Sequence, residues 1–105
     1  MKYVFVNGTF DVLHRGHVEL LRFAKDQGDI LIVAIDSDER VRSMKGSSRP
    51  VHSEKERKYM LESLKPVDQV FVFESSEELE KLVEVIANTI HNNFASQSFS
   101  NTDRS

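Results

Sequence analysis

The stretch VNGTFDVLHRGHVELL (Val6–Leu21) decides the fold of this 105-residue chain. It starts at the end of a short run, KYVFV (Lys2–Val6), whose β-branched and aromatic residues predict a buried strand. A glycine-containing loop follows, and HVELLRFAKDQG (His17–Gly28) then places apolar residues near helical spacing before a glycine stop. A strand, a loop and a helix in this order predict the first unit of a parallel α/β sheet.

The rest of the chain continues this alternation. DILIVAI (Asp29–Ile35) is almost entirely apolar, which is typical of a parallel strand covered on both faces. The remaining predicted elements are a short helix and loop in Asp36–Ser53, a helix EKERKYMLESLK opened by a Ser53/Glu56 capping box and stopped by Pro66, a strand QVFVF (Gln69–Phe73), and a helix SSEELEKLVEVIANTI.

The predicted order β-α-β-(α)-α-β-α defines the fold class as α/β, a Rossmann-like parallel sheet with flanking helices. Ligands in such sheets bind beyond the carboxyl ends of the strands, which is where the NGTFDVLHRGH loop lies. Residues 1–87 form the predicted core. Residues 88–105 are rich in Asn and Ser, show neither helix nor strand period, and are expected to form a polar, disordered tail.

Composition narrows the function. The net charge of −3 argues against a nucleic-acid partner. No apolar run approaches the roughly 20 residues that cross a bilayer, so no membrane partner is expected. The chain has no cysteine, which excludes disulfides and thiolate metal sites and fits a reducing compartment. We therefore expect a cytoplasmic protein.

His14 and His17 lie three residues apart at the entry to the first helix. Backbone amides at a helix N-terminus attract anions, and Gly8 and Gly16 allow the backbone to approach a ligand closely. Imidazoles can donate hydrogen bonds to phosphate oxygens, so the pattern fits a polyphosphate cradle. The same spacing also fits solvated or capping histidines and, less well, a metal site.

GTFDVLHRGH resembles the H-x-G-H motif of the cytidylyltransferase-like nucleotidyltransferase superfamily. DSDERVRSMKGSSRPV and ERKYMLESLKPVDQVFVF further resemble the adenylyltransferase domain of bifunctional heptose-phosphate kinase/adenylyltransferases. Glycerol-3-phosphate cytidylyltransferases share the GTFD form of the motif. The resemblance covers Tyr3 to about Ile86 and implies the HUP-type nucleotidyltransferase fold.

The resemblance implies a reaction in which a phosphate oxygen of a sugar or polyol phosphate attacks the α-phosphorus of ATP or CTP and pyrophosphate leaves. Adenylyl transfer to a heptose 1-phosphate is favoured by KGSSRPV. A glycerol-3-phosphate-type cytidylyltransferase and a noncatalytic nucleotide-binding or assembly module remain alternatives. The implied cofactor is Mg²⁺ or another divalent cation, and the implied partners are the nucleotide and the phosphate acceptor.

The resemblance also implies residue roles. His14, His17, Lys45 and Arg57 are the candidate catalytic residues, with the histidines on the α and β phosphates. Asp11 is expected to shape the site or to contact the acceptor or the metal. The candidate nucleotide-binding residues are Gly8, Thr9, Phe10, Asp11, His14, Gly16 and His17.

Each role has a simpler alternative. Asp11 alone fits a loop-capping carboxylate, and Lys45 alone fits a solvated loop lysine. Arg57 alone fits a surface ion pair with Glu54 or Asp68. His52 is given no role. The aromatic residues expected in the core are Tyr3, Phe5, Phe23, Phe71 and Phe73.

Relatives of this kind continue with further strands and a Ser/Thr-rich motif on the opposite side of the triphosphate, and these are not recognisable here. The sequence thus predicts a C-terminally truncated sheet of about three strands. The edge of the first strand is expected to be bare, which favours a homo-oligomer formed through that edge and weak turnover.

Overall fold

A computed structural model describes residues 1–90 and 94–96. The elements in chain order are β1 (Tyr3–Gly8), α1 (Arg15–Asp26), β2 (Ile30–Asp36), α2 (Asp38–Lys45), α3 (Glu54–Glu62), β3 (Gln69–Phe73), α4 (Ser76–Ile90) and β4 (Phe94–Ser96). The predicted α/β alternation is confirmed.

The four strands form one parallel sheet in the order β3-β2-β1-β4. The chain moves outward from β1 through β2 to β3, and β4 then lies on the other side of β1. This reversal makes the carboxyl end of β1 a topological switch point, where ligands bind in open α/β sheets. The loop after β1 starts at that point.

The two faces of the sheet bury different helices, as the alternation of side chains along β1 requires. Val4 and Val6 join the larger core cluster, which includes residues of α1 and α3 such as Leu21 and Leu61. Phe5 points to the other face, into a cluster that is covered by α4 through Leu79, Leu82, Val83 and Ile86. The sheet is therefore buried on both sides, as the apolar run of β2 predicts.

Helix ends follow local polar chemistry, with small shifts from the predicted bounds. The Ser53 hydroxyl accepts from the Glu56 amide at 3.2 Å, which confirms half of the predicted capping box. Helix α3 ends at Glu62, earlier than expected. Helix α1 begins at Arg15 instead of His17, because His14 already serves as its N-cap.

The segment expected to be a structureless tail contains regular structure at two places. Helix α4 ends at Ile90, where the predicted helix SSEELEKLVEVIANTI also ends, so residues 88–90 are helical. Phe94–Ser96 pairs with Tyr3–Phe5 as a fourth strand, which was not predicted. Part of the β1 edge is thus covered. A three-residue edge strand is set by its pairing partner more than by its own propensity, so the local sequence does not predict it. Residues 91–93 and 97–105 of the expected tail lie outside the described residues.

One aromatic residue that was predicted to lie in the core is exposed to solvent. Phe23 is 55% exposed on α1, whereas Phe5 and Phe73 are buried. Tyr3 and Phe71 are partly buried against the α4 side of the sheet. Phe23 precedes the buried Ala24 by one position, and neighbouring helix positions face different directions. Among residues 1–90 and 94–96, no helix combines the length and apolar character needed to cross a membrane.

Candidate active site

The loop after β1 turns sharply at Phe10, whose φ of 52° lies in the left-handed region. This conformation is unusual for a residue with a side chain and costs roughly 1–2 kcal/mol. Burial offsets the cost, since Phe10 is fully buried and its ring centroid lies 5.5 Å from that of His17. Phe10 thereby joins the loop to the first turn of α1.

His14 and His17 cap α1 reciprocally. The Gly16 amide donates to Nδ1 of His14 at 3.0 Å, and the His14 amide donates to Nδ1 of His17 at 3.1 Å. The two rings lie 4.0 Å apart between centroids. This arrangement matches a capping box in which imidazole nitrogens replace the usual Ser and Glu oxygens. His14 is exposed, and His17 is buried.

The capping bonds fix the histidine tautomers. Each Nδ1 accepts a hydrogen bond from a backbone N–H, so in the neutral ring the proton sits on Nε2. The exposed His14 ring then offers an Nε2–H donor at the N-terminus of a 12-residue helix, where the helix dipole also favours an anion. The capping alternative and the phosphate-binding role are therefore compatible, because they use different nitrogens.

Gly16 is required by the position of the His14 ring. A Cβ at position 16 would lie 2.8 Å from Cε1 and 3.1 Å from Nδ1 of His14. Any larger residue would push the ring away from the helix N-terminus. Gly8, the other glycine predicted at the site, is the buried last residue of β1, paired in register with Ile35.

Thr9 is held by a carboxylate that the sequence analysis did not assign. Its hydroxyl donates to Oδ2 of Asp36 at 2.8 Å, and Arg40 Nε donates to Oδ1 at 2.7 Å. Thr9 and Asp36 are both buried. A sequence signal existed, since Asp36 directly follows the apolar run of β2, at the carboxyl edge of the sheet.

Asp11 anchors the loop between α2 and α3. Its two oxygens accept from the amides of Val51 and His52 at 2.8 and 2.9 Å, and the Arg49 guanidinium lies 3.5 Å away. The carboxylate is 3% exposed. Asp11 thus has the loop-capping role that the sequence analysis gave as an alternative. It connects the KGSSRPV segment to the H-x-G-H turn.

The described residues do not fit a protein-built metal site. Asp11 already uses both oxygens, and residues 1–90 and 94–96 contain no group of three or more His, Cys, Asp or Glu side chains placed to hold an ion. The metal role of Asp11 remains a prediction, and the proposed reaction does not depend on a metal ion held by Asp11.

Arg57 is buried where the loops meet, not paired on the surface. Its guanidinium is 1% exposed and donates to the carbonyl oxygens of Thr9, Asp36 and His52 at 3.0, 2.8 and 3.0 Å. Nη2 also donates to Asp38 at 2.8 Å. These bonds join the ends of β1 and β2 to the start of α3. They favour a positioning role over direct phosphate contact.

The surface partners suggested for Arg57 are otherwise engaged. Asp68 pairs with Lys25, and Glu54 accepts from the Asp38 amide. Lys45 is the partly exposed last residue of α2, one position before Gly46. Its role in neutralising phosphate remains a prediction.

The fold agrees with the matches to known proteins. The Cytidylyltransferase-like family model matches residues 5–97. The chain therefore belongs to the cytidylyltransferase-like family, a class of nucleotidyltransferases, as the GTFDVLHRGH motif predicts.

The most similar curated relatives include the bifunctional protein HldE of Helicobacter pylori, 49% identical over 85 residues. That match covers 81% of this chain and 18% of the relative. HldE of Aliarcobacter butzleri is 46% identical over 84 residues, with 78% and 18% covered. The chain thus spans less than a fifth of the length of these relatives.

A solved structure is also similar. The lipopolysaccharide core biosynthesis protein of Thermoplasma volcanium GSS1 superposes with a TM-score of 0.71 at 30% identity, covering 81% of this chain and 68% of that one. This match supports the nucleotidyltransferase fold.

Proposed function

We propose that this chain supplies the H-x-G-H side of a nucleotidyl-transfer site, with ATP as the nucleotide and a sugar 1-phosphate of the heptose 1-phosphate type as the acceptor. An acceptor phosphate oxygen forms a bond to the α-phosphorus. The bond from the α-phosphorus to the bridging oxygen of the β-phosphate breaks, and pyrophosphate leaves with that electron pair. The attacking oxygen is already an anion, so the protein needs no strong general base.

The observation that carries this proposal is the Nε2–H donor of the exposed His14, whose ring is oriented by the reciprocal capping bonds of His14 and His17. Because the backbone holds the His14 ring before the ligand arrives, this donor needs no reorganisation as negative charge develops on the phosphates. A preorganised donor of this kind contributes about 2.7–4 kcal/mol to transition-state stabilisation. The dipole of α1 favours negative charge on the same side.

The acceptor class rests on the resemblance of KGSSRPV to heptose-phosphate adenylyltransferases and on the similarity to HldE. The similar Thermoplasma protein acts in lipopolysaccharide core biosynthesis, which agrees with a sugar phosphate acceptor. Mg²⁺ is proposed only as a counter-ion carried by the triphosphate, which is how this ion commonly binds. A cytoplasmic setting is proposed because the absence of cysteine fits a reducing compartment.

A double variant, His14→Ser with His17→Gln, tests the proposal without removing the helix cap. It converts the imidazole box to the usual Ser-x-x-Gln box, so α1 keeps its capping bonds and loses both Nε2 donors. We expect an unfolding temperature close to that of the unsubstituted chain and no further rise with ATP. Asp26→Ala, on the exposed last residue of α1, is the control and should keep the ATP response.

The same assay separates the alternatives. ATP-dependent stabilisation together with pyrophosphate release in the presence of a heptose 1-phosphate supports the proposal. A response to CTP and glycerol 3-phosphate alone would replace it with the cytidylyl alternative. Stabilisation by nucleotide without release for any acceptor would indicate a noncatalytic binding module. An ATP response that survives the double variant would contradict the role given to the histidines.

A further inference from the structure

We propose that the cavity between the β1–α1 loop and α3 binds the hydroxyl-bearing end of the phosphate acceptor, and that Glu56 and His52 determine which polyol is accepted. This inference rests on the proposed function and specifies the acceptor part of the same site. Neither residue is among those that the H-x-G-H resemblance singles out.

The cavity has a volume of about 240 Å³. At roughly 30 Å³ per water molecule, it holds about eight waters, a size suited to one small polar molecule and not to a whole nucleotide. Its walls are both apolar and polar, which allows shape selection together with hydrogen bonding. The lining residues are Phe10, Asp11, Val12, Leu13, His52, Glu56, Arg57 and Met60.

Two charged groups in the cavity wall, the Asp11 carboxylate and the Arg57 guanidinium, already form hydrogen bonds within the protein. Asp11 accepts from the amides of Val51 and His52, and Arg57 donates to backbone carbonyls and to Asp38. Both are buried. They shape the cavity wall and leave ligand recognition to other side chains.

Glu56 and His52 are the exposed polar residues that remain. Within residues 1–90 and 94–96, no Lys, Arg or His side chain lies within salt-bridge distance of Glu56. The His52 backbone is held on both sides, because its amide donates to Asp11 and its carbonyl accepts from Arg57. An imidazole on a fixed backbone and a carboxylate without an ion-pair partner are well suited to hydrogen-bond sugar hydroxyls.

The charge of Glu56 also orients the acceptor. A carboxylate accepts hydrogen bonds from hydroxyl groups and repels a phosphate, so the phosphate end must point out of the cavity. The cavity adjoins the histidine pair at two places: Leu13 precedes His14 in the chain, and the Phe10 ring contacts that of His17. An acceptor bound by its hydroxyls thus directs its phosphate toward the Nε2 donor of the exposed His14.

The test measures binding by the full chain, so it does not depend on turnover. Dissociation constants are measured by calorimetry for a heptose 1-phosphate, glycerol 3-phosphate and inorganic phosphate, and separately for ATP. We expect Glu56→Ala and His52→Ala each to weaken the heptose 1-phosphate about 10- to 100-fold. ATP and inorganic phosphate should change less than about threefold. Glu62→Gln, at the exposed end of α3 and outside the cavity, is the matched control.

A Glu56→Lys variant gives a second readout with the opposite sign. Replacing the carboxylate by an ammonium group should tighten inorganic phosphate while still weakening the heptose 1-phosphate. The inference is overturned if the Glu56 and His52 variants bind the sugar phosphate as tightly as the unsubstituted chain does. It is also overturned if the unsubstituted chain binds ATP and no sugar phosphate. If the unsubstituted chain does not bind ATP, the proposed function fails together with this inference. The ATP measurement therefore distinguishes the failure of the inference alone from the failure of both.

Discussion

Replacing Gly16 by alanine should weaken nucleotide binding strongly and change the stability of the fold only slightly. The added Cβ would lie 2.8 Å from Cε1 of His14, a distance that real contacts do not tolerate. The His14 ring is exposed and at the end of a flexible side chain, so it can swing away. It then loses its bond from the Gly16 amide and leaves the phosphate side of the helix.

The opposing stability effects nearly cancel. Loss of an N-cap bond costs about 1 kcal/mol, within a range of about 0.5–2 kcal/mol. Alanine in a helix is more favourable than glycine by up to about 1 kcal/mol. The net change in the free energy of unfolding should stay within about 1 kcal/mol. For a domain of this size that is a shift of the unfolding temperature of at most about 8 °C.

The effect on binding is much larger. A hydrogen bond to a charged group contributes about 1.5–3 kcal/mol, so loss of the His14 donor should raise the ATP dissociation constant about 10- to 150-fold. With ATP at 100 times the original dissociation constant, the unsubstituted chain gains about 2.7 kcal/mol. A 100-fold weaker variant gains only about 0.4 kcal/mol at the same concentration.

Thermal unfolding with and without ATP measures both quantities in one experiment. Asp26→Ala serves as the control for a substitution elsewhere on α1. A Gly16→Ala chain that keeps the full ATP-dependent stabilisation would refute the requirement for glycine and the ring position on which it rests. A loss of more than about 2 kcal/mol without ligand would refute the assumption that the His14 ring moves freely.

Three further substitutions test the supporting structure by urea unfolding. Gly28→Ala should lower the free energy of unfolding by about 1–3 kcal/mol, because its Cβ would lie 2.8 Å from the Lys2 carbonyl oxygen, a backbone atom that cannot move aside. An unchanged free energy of unfolding would contradict this close packing. Thr9→Val should cost about 1–3 kcal/mol by leaving a buried Asp36 oxygen without its donor, whereas Thr9→Ser should cost less; equal losses would count against the hydrogen bond. Arg57→Lys should cost on the order of 3 kcal/mol, since an ammonium group cannot reach all the acceptors of the guanidinium, and a neutral result would place Arg57 outside the structural network.

The prediction from sequence was strongest where the signal was local. The apolar runs of β1, β2 and β3 identified the parallel strands, and the helices between them followed from spacing and capping residues. The H-x-G-H motif identified the family and predicts a site at the carboxyl end of β1. It did not reveal that His14 and His17 bond to the backbone through Nδ1, because capping and solvated histidines look alike in a sequence.

The weak points were short or context-dependent features. Phe94–Ser96 has no strand pattern of its own and becomes a strand by pairing with β1. Phe23 was placed in the core on residue type alone, although its helix position faces solvent. In both cases the neighbouring elements, and not the residues themselves, decided the outcome.

The sequence by itself determined the order of the elements, the family and the loop that is predicted to bind the nucleotide, because each depends on residues close together in the chain. Only the tertiary structure decided the partners of the buried charges. Arg57 contacts Thr9, 48 positions earlier, and Asp36, 21 positions earlier, and Asp11 holds a loop 40 positions later. Such pairs form because parallel strands bring their carboxyl ends to one edge of the sheet, where buried polar groups must satisfy one another.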